Sequence, residues 1–432
     1  MNKREGLANI KERLDRGLAN ERWRFIFPRA TVKHVPALSS DHSPIVLNTD
    51  GEQGQDKKPF KFVEAWTRDE TSLFVVENAW KKGFNGTPMF KVCKKIKETK
   101  EDLHRWNRDL FGNIQTKIKE KWDQLDQIQK EEPTSENLEK EANTNLELHE
   151  WLIREESLWK QKSRTKWLPA TDLNTKFFHL STIVKRRRNA IDFLKNQQGN
   201  WISGREDIGN CFVDFFTGLF TSSNPSIPNN LDGLISPSLS QDDIEMLTKI
   251  PTADEIKKVV FSMGSNKSPG PDGMSALFFK FYWNVIGGEV IEAITSFFNR
   301  RYMLKEINHS FIALIPKGNN AAFVNQFRPI SLCNVLYKII SKLLANRLKH
   351  ILNKLISPWQ TAFIPGRNIQ ENTFIAQEIL HSMKRKKGKT GWLALKIDME
   401  KAYDRLEWNF LEKVLHCFRF PSIWIQWVMQ CV

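Results

Sequence analysis

Five cysteines, odd in number and widely scattered, are too few to build a disulfide framework in a chain of 432 residues. None of Cys93, Cys211, Cys333, Cys417 and Cys431 stands in a C-x-x-C pair, so a thiolate zinc site is not expected, and a reducing compartment fits. No apolar run reaches the length needed to span a bilayer. The first residues, MNKREGLANIKERLDRG, lack the apolar core of a signal peptide. Acidic charge is also short: 65 Lys+Arg stand against 50 Asp+Glu, a formal net charge of +15. That surplus predicts a polyanionic partner, most commonly nucleic acid, although a generic basic soluble protein has the same composition.

The length allows two or three domains. Residues 1–48 form a short mixed segment ending in SSDHSPIVL, and the polar, Gly-rich NTDGEQGQDKKP (48–59) reads as a linker. From about residue 71 to 190 the apolar spacing is helical. Ile114, Ile118, Trp122, Leu125 and Ile128 recur every three or four residues, EEPTSEN (131–137) interrupts them, and a second run continues to about Lys166. This pattern predicts an antiparallel helical hairpin. The cluster VKRRRN places Lys185, Arg186, Arg187 and Arg188 just after Phe177, Phe178 and His179. It is either a contact for a phosphate backbone or a solvated turn beside a core aromatic pair. Past a Pro/Ser/Asn-rich loop at 226–240, helical and extended stretches alternate to the end, so the expected fold class is α+β.

Chemistry concentrates in this last region. SNKSPGPDGM (265–274) is a tight loop between helices with exposed backbone N–H groups. FIALIPKG (311–318) reads as a buried strand ending at Lys317. Ten residues on, Arg328 lies in an extended piece fixed by Pro329, before a helix with Leu336, Ile340, Leu343, Leu344 and Leu348 on its buried face. Two such cations either clamp a triphosphate or are plain surface charges. KRKKGKTG (384–391) is a basic turn. In the alternating WLALKIDM that follows, Leu393, Leu395, Ile397 and Met399 face a core and Asp398 the opposite side, at the strand end. Leu406, Phe410 and Val414 mark the buried face of the next helix. Asp398 is either a ligand for a hard cation such as Mg²⁺ or the cap of that helix.

Taken in order, SPGPDG, FIALIPK, FRPISL, QTAFIPGRNIQEN and LALKIDMEKAYD resemble the N-terminal part of a reverse transcriptase from a non-LTR (LINE-type) retrotransposon. KSRTKWLPATDLNTKFFH (162–179) is most similar to the plant branch. The resemblance implies polymerase fingers and a partial palm over 206–432, preceded by a linker and helical spacer at 49–205. By the same resemblance Asp398 is the first metal-binding, catalytic aspartate, with the Met399 backbone also touching Mg²⁺. Lys317 and Arg328 bind the incoming deoxynucleoside triphosphate, together with the backbone at Lys401 and Ala402. Tyr403 lies beneath its sugar. The implied chemistry is metal-assisted attack of a primer 3′-OH on the α-phosphorus. The family draws two further carboxylates from a Tyr/Phe-Ala-Asp-Asp hairpin, and this chain ends 34 residues after Asp398, ahead of any such hairpin. Asp242–Asp243 lies upstream and reads as the first turn of a helix capped by Ser240.

ERLDRGLAN, FIFPRATVKHV and SSDHSPIVL resemble the last strands of an endonuclease/exonuclease/phosphatase-type domain, which makes 1–48 its C-terminal remnant, a small β piece of the nuclease sandwich. His42 is then the acid/base histidine, Asp15 the carboxylate orienting it, and Asp41 a metal-site neighbour. The family's earlier ligands have no room in the 41 residues before His42. The expected whole is an internal fragment of a plant LINE-type polyprotein, its family function RNA-directed DNA synthesis and its own polymerase activity absent. The implied partners are RNA template, DNA primer or other single-stranded nucleic acid, and deoxynucleoside triphosphates; the implied place is nucleus or cytoplasm, with no membrane. The rival reading is a non-enzymatic nucleic-acid-binding remnant, or an incomplete gene model.

Overall fold

The computed structural model describes residues 17–27, 30–34, 45–49, 59–165, 175–227, 231, 235, 239–318 and 321–432. Its elements are α1 (Glu21–Ile26), β1 (Thr31–His34), β2 (Ile45–Asn48), α2 (Thr71–Lys81), α3 (Pro88–Trp106), α4 (Ile114–Ile128), α5 (Ser135–Ser163), α6 (Thr175–Arg188), β3 (Phe193–Lys195) and β4 (Trp201–Ser203). Next come α7 (Arg205–Phe220), α8 (Gln241–Thr248), α9 (Ala253–Ser262), α10 (Ala276–Phe281), α11 (Trp283–Arg300), α12 (Lys305–Asn308), β5 (Ser310–Pro316), β6 (Phe327–Cys333), α13 (Val335–Leu355), α14 (Ile369–Arg385), α15 (Trp408–Cys417) and α16 (Ser422–Met429). Helix dominates, and the described strands form antiparallel pairs, β1–β2, β3–β4 and β5–β6. The chain divides into two compact units, 1–68 with 107–190, and 69–106 with 191–432.

In the first unit, α4 and α5 form the expected hairpin. Asn113 caps α4 by accepting from the Gln115 and Thr116 N–H groups, and Thr134 caps α5 by accepting from Asn137 N–H. Gln129 donates to Glu141, and Lys121 pairs with Glu147, which fixes the antiparallel register. Ile114 and Leu125 are buried, but Trp122 is 53% exposed. At about 100° per residue it lies roughly 80° round the helix from Ile114, at the edge of the apolar stripe. Arg68 forks onto Glu150 at 2.7 Å for both bonds, closing residues 59–68 onto α5.

The second unit is built round α11, whose Ile286, Val290, Ala293, Ile294 and Phe297 are buried. Tyr282 donates from its hydroxyl to Ser72 Oγ at 2.8 Å, and Lys95 donates to Glu289, so α2 and α3 close on this core. On another side Trp427 of α16 donates from Nε1 to the Phe298 carbonyl at 3.0 Å, with the rings 4.8 Å apart. Helix α13 buries Leu336, Ile340, Leu343 and Leu344, as its spacing predicts. Sequence spacing alone did not predict that Arg347 would be buried on the same helix. It forks onto Glu255 at 3.2 and 3.0 Å, and also donates to the Leu247 and Lys249 carbonyls. Helix α8 starts at Asp242–Asp243 with Ser240 as cap, as expected. Ser240 and Asp243 form a reciprocal capping box, and Lys354 pairs with Asp243 at 2.9 Å.

Candidate nucleotide and nucleic-acid site

The β5–β6 ribbon carries Lys317 and Arg328. Ile315 pairs with Arg328 and Pro316 with Phe327, and Lys317 N–H donates to the Gln326 carbonyl at 2.9 Å. Side chains alternate, so Lys317 and Arg328 fall on the same face as a diagonal pair. Both are exposed, and neither has a partner among the described residues. The strand is not buried as its apolar run predicts: Phe311, Ile312 and Ile315 are 47%, 46% and 37% exposed. A two-stranded ribbon leaves much of both faces open, while Leu314 and Phe327 reach the core they share with α7 and β3.

The loop 265–274 uses its N–H groups internally rather than exposing them. Gly273 donates to the Gly270 carbonyl, Asp272 N–H to Asn334 Oδ1, and Met274 N–H to Asp272 Oδ1 at 2.9 Å. Burial pushes the Asp272 carboxyl up to about 6, against the Met274 hydrogen bond and the Lys338 and Lys100 charges that pull it down. The thiol of Cys93, which lines the same 240 Å³ cavity, is pushed up to about 12 by burial and by Glu306 and Asp272.

Residues 392–399 depart furthest from expectation. Alternation predicts a strand with one buried face, yet these residues pair with no strand among those described. Leu393, Leu395, Ile397 and Met399 are 90%, 76%, 80% and 70% exposed. Alternation gives a chain segment the pattern of a strand, but a neighbouring strand must supply the ladder and a layer must cover the face. Asp398 is exposed and stands without a described partner, and it does not cap α15, whose N-cap is Glu407. Lys401 takes a left-handed backbone, φ 55°, and accepts at its carbonyl from Asp404 and Arg405 N–H. Its Nζ sits 3.9 Å from the Phe215 ring centre. Burial lowers the Lys401 ammonium's pKa; Glu400 raises it and Lys317 lowers it further, which places Lys401 within electrostatic reach of the ribbon. Ala402 is exposed, and Tyr403, 76% exposed, meets Phe363 edge-on at 6.2 Å. Phe410 and Val414 are half-buried and Leu406 is exposed, so the face expected on α15 is only partly covered.

The basic cluster lies in the last turn of α6 rather than in a loop, where cations favour the helix C-terminus. Lys185 donates to the Ser163 carbonyl at 2.7 Å and Arg187 to the Ala30 carbonyl, while Arg186 and Arg188 are exposed without described partners. Phe178 is buried and His179 lies 3.9 Å from the Trp159 ring, while Phe177 is 39% exposed, so the aromatic part of this motif is only partly core. Asp15, Asp41 and His42 lie outside the described residues.

Residues 315–432 match the family described as reverse transcriptase (RNA-dependent DNA polymerase). That match covers 118 of the chain's 432 residues. The chain is 31% identical over 263 residues to the transposon TX1 uncharacterized 149 kDa protein of Xenopus laevis, covering 60% of this chain and 20% of that protein. To the retrovirus-related Pol polyprotein from type-1 retrotransposable element R2 of Nasonia vitripennis it is 30% identical over 203 residues, 44% of this chain and 18% of the relative. To the probable RNA-directed DNA polymerase from transposon BS of Drosophila melanogaster it is 25% identical over 239 residues, 52% and 25%. The chain thus spans a quarter or less of the length of these relatives. Among the described residues no helix is long and apolar enough to cross a membrane.

Proposed function

We propose that this chain supplies the nucleotide-binding fingers and first palm segment of a LINE-type RNA-directed DNA polymerase. The carrying observation is the shared face of Lys317 and Arg328 on the β5–β6 ribbon, with Lys401 in electrostatic reach, at the start of the matched residues. Arg328 offers a planar fork and Lys317 a point charge, the pairing suited to phosphate oxygens. In this reading Tyr403 and the backbone at Lys401 and Ala402 meet the nucleotide, and Asp398 and the Met399 backbone belong to the Mg²⁺ site. The donor set in hand does not fit a pair of Mg²⁺ ions: Asp398 is the lone assigned carboxylate, and no three His, Cys, Asp or Glu side chains cluster suitably among the described residues.

The further parts of the proposal follow the sequence resemblance. Residues 206–432 are the polymerase part, 49–205 the linker and spacer, and 1–48 a nuclease remnant bearing Asp15, Asp41 and His42; the source is plant-like, and the partners are RNA template and DNA primer. Equilibrium binding of a fluorescent deoxynucleoside triphosphate to the purified chain tests the central claim. Lys317→Ala and Arg328→Ala should each weaken it about tenfold. Equal binding by the double variant would refute it.

A second reading, nucleic-acid binding without catalysis, is favoured by the net charge of +15 together with the single assigned carboxylate. Deoxynucleoside triphosphate binding that depends on Lys317 and Arg328 supports the first reading, and strand binding without triphosphate binding supports the second.

A further inference from the structure

A 420 Å³ pocket opens where the β3–β4 turn, α7 and the segment before β6 meet. Its frame is fixed from behind. Leu194 of β3, Phe212 and Phe216 of α7 and Phe327 of β6 form one buried cluster, and Lys195 N–H donates to the Ala322 carbonyl at 2.7 Å. The pocket is walled by Phe215 and Phe323, and each ring holds a cation. Lys401 Nζ lies 3.9 Å from the Phe215 centre, and Lys195 Nζ lies 5.5 Å from Phe323 and 5.0 Å from Trp201. Carboxamides from Gln197, Gln198 and Asn325 line the mouth with no hydrogen bond to a described residue. Asp214 also lines it.

We infer that this pocket takes one unpaired nucleobase of a single-stranded polynucleotide, with the flanking phosphates at Lys195 and Lys401. Aromatic walls accept the π-face of any base, and carboxamides present a donor and an acceptor to its edge. The carboxylate of Asp214 in the lining repels a phosphate, which leaves the base as the group that enters, with Lys195 of the lining and Lys401 over Phe215 as the phosphate contacts. The inference rests on nucleic-acid binding, not on nucleotidyl transfer, and its test is therefore a binding measurement.

The test is fluorescence anisotropy with a short single-stranded RNA and with an abasic sugar-phosphate oligomer of equal length, each at several salt concentrations. Phe323→Ala should weaken the base-bearing strand about tenfold, leave the abasic strand unchanged, and leave the salt slope unchanged. Phe323→Trp should restore binding. Gln198→Ala combined with Asn325→Ala alters only exposed side chains, so it provides the same comparison without disturbing the fold; it should weaken the base-bearing strand alone. A wild-type chain that binds both oligomers equally, or variants that lose both equally, would overturn the base pocket while leaving charge-driven binding standing. Competition by free nucleoside, which has no phosphate for Lys317 and Arg328, at the same concentration as the strand would overturn the requirement for a polynucleotide.

Discussion

Asp272 and Asn334 are tied by one hydrogen bond, from the Asp272 N–H to Asn334 Oδ1 at 3.2 Å, while Asn334 Nδ2 donates to the Glu306 carbonyl at 2.9 Å. One carboxamide thus holds the PGPDG loop and the α12 segment to the start of α13. Gly270 makes the approach possible: a Cβ there would stand 2.5 Å from the Asn334 backbone nitrogen and 2.6 Å from the Cys333 carbonyl carbon. Both atoms belong to one peptide bond, which cannot give way cheaply. Gly270→Ala should destabilise the chain by about 1–3 kcal/mol, read from urea melts.

The same loop sets a pH dependence. The ordinary Asp272 carboxyl titrates at 3.8, and burial raises it to about 6. Its protonated form therefore suits the fold, and that contribution is complete below about pH 4 and lost as pH rises through about 6. Asp272→Asn keeps the Oδ1 acceptor for Met274 and cannot ionise. It should match the parent below about pH 4 and be the more stable above about pH 6, by at most about 3 kcal/mol. Parallel melting curves across pH 4–8 check this, and identical curves would remove the effect.

Arg347 makes a polar crossing in the second unit, with Glu255 and the Leu247 and Lys249 carbonyls all on one guanidinium. Arg347→Met fills the space but strands two carbonyls. Glu255 can turn to water, so the cost should be about 2–4 kcal/mol rather than that of a fully buried charge. Arg347→Lys cannot fork and should recover only part of it.

How much was legible follows from what each pattern needs. Helix signals need only the chain itself, so the α4–α5 hairpin, the Ser240 cap of α8 and the buried stripe of α13 stand where spacing and capping put them. Strand signals need a partner. The run at 311–316 finds one partner, β6, but little cover over its faces, and the run at 393–399 pairs with no described strand, so both are open in the structure. Long-range polar contacts leave no local trace: nothing in the neighbourhood of Arg347 announces Glu255, and nothing near Lys401 announces Phe215. The FVDFF stretch at 212–216 was the available sign of an aromatic wall, but its spacing reads as a helix core as well.

Asp398 allows a clean separation of folding from chemistry. It is exposed, without a described partner, and lies in an unpaired segment. Asp398→Ala should change stability by less than about 0.5 kcal/mol. The purified chain with Mg²⁺, primer and RNA template should show no extension above background. Template-dependent incorporation that disappears in Asp398→Ala would overturn the incomplete donor set.

The α6 cations divide into two pairs with different expected effects. Lys185 and Arg187 serve the Ser163 and Ala30 carbonyls, whereas Arg186 and Arg188 face solvent. Each phosphate neutralised on a single strand contributes roughly 0.7 to the fall of log affinity with log salt. Arg186→Ala with Arg188→Ala should therefore flatten the salt slope by about 1.4 and leave the melting curve in place, if both meet phosphates. Lys185→Ala should instead lower stability, by about 1 kcal/mol for the lost carbonyl contact, with a smaller effect on the slope. A slope unchanged in the Arg186/Arg188 variant assigns the cluster to holding α6 at its C-terminus rather than to the polyanion. The binding then has to come from Lys195, Lys317, Arg328 and the basic turn at 384–391, where Lys386 already lies 4.2 Å over the Trp392 ring.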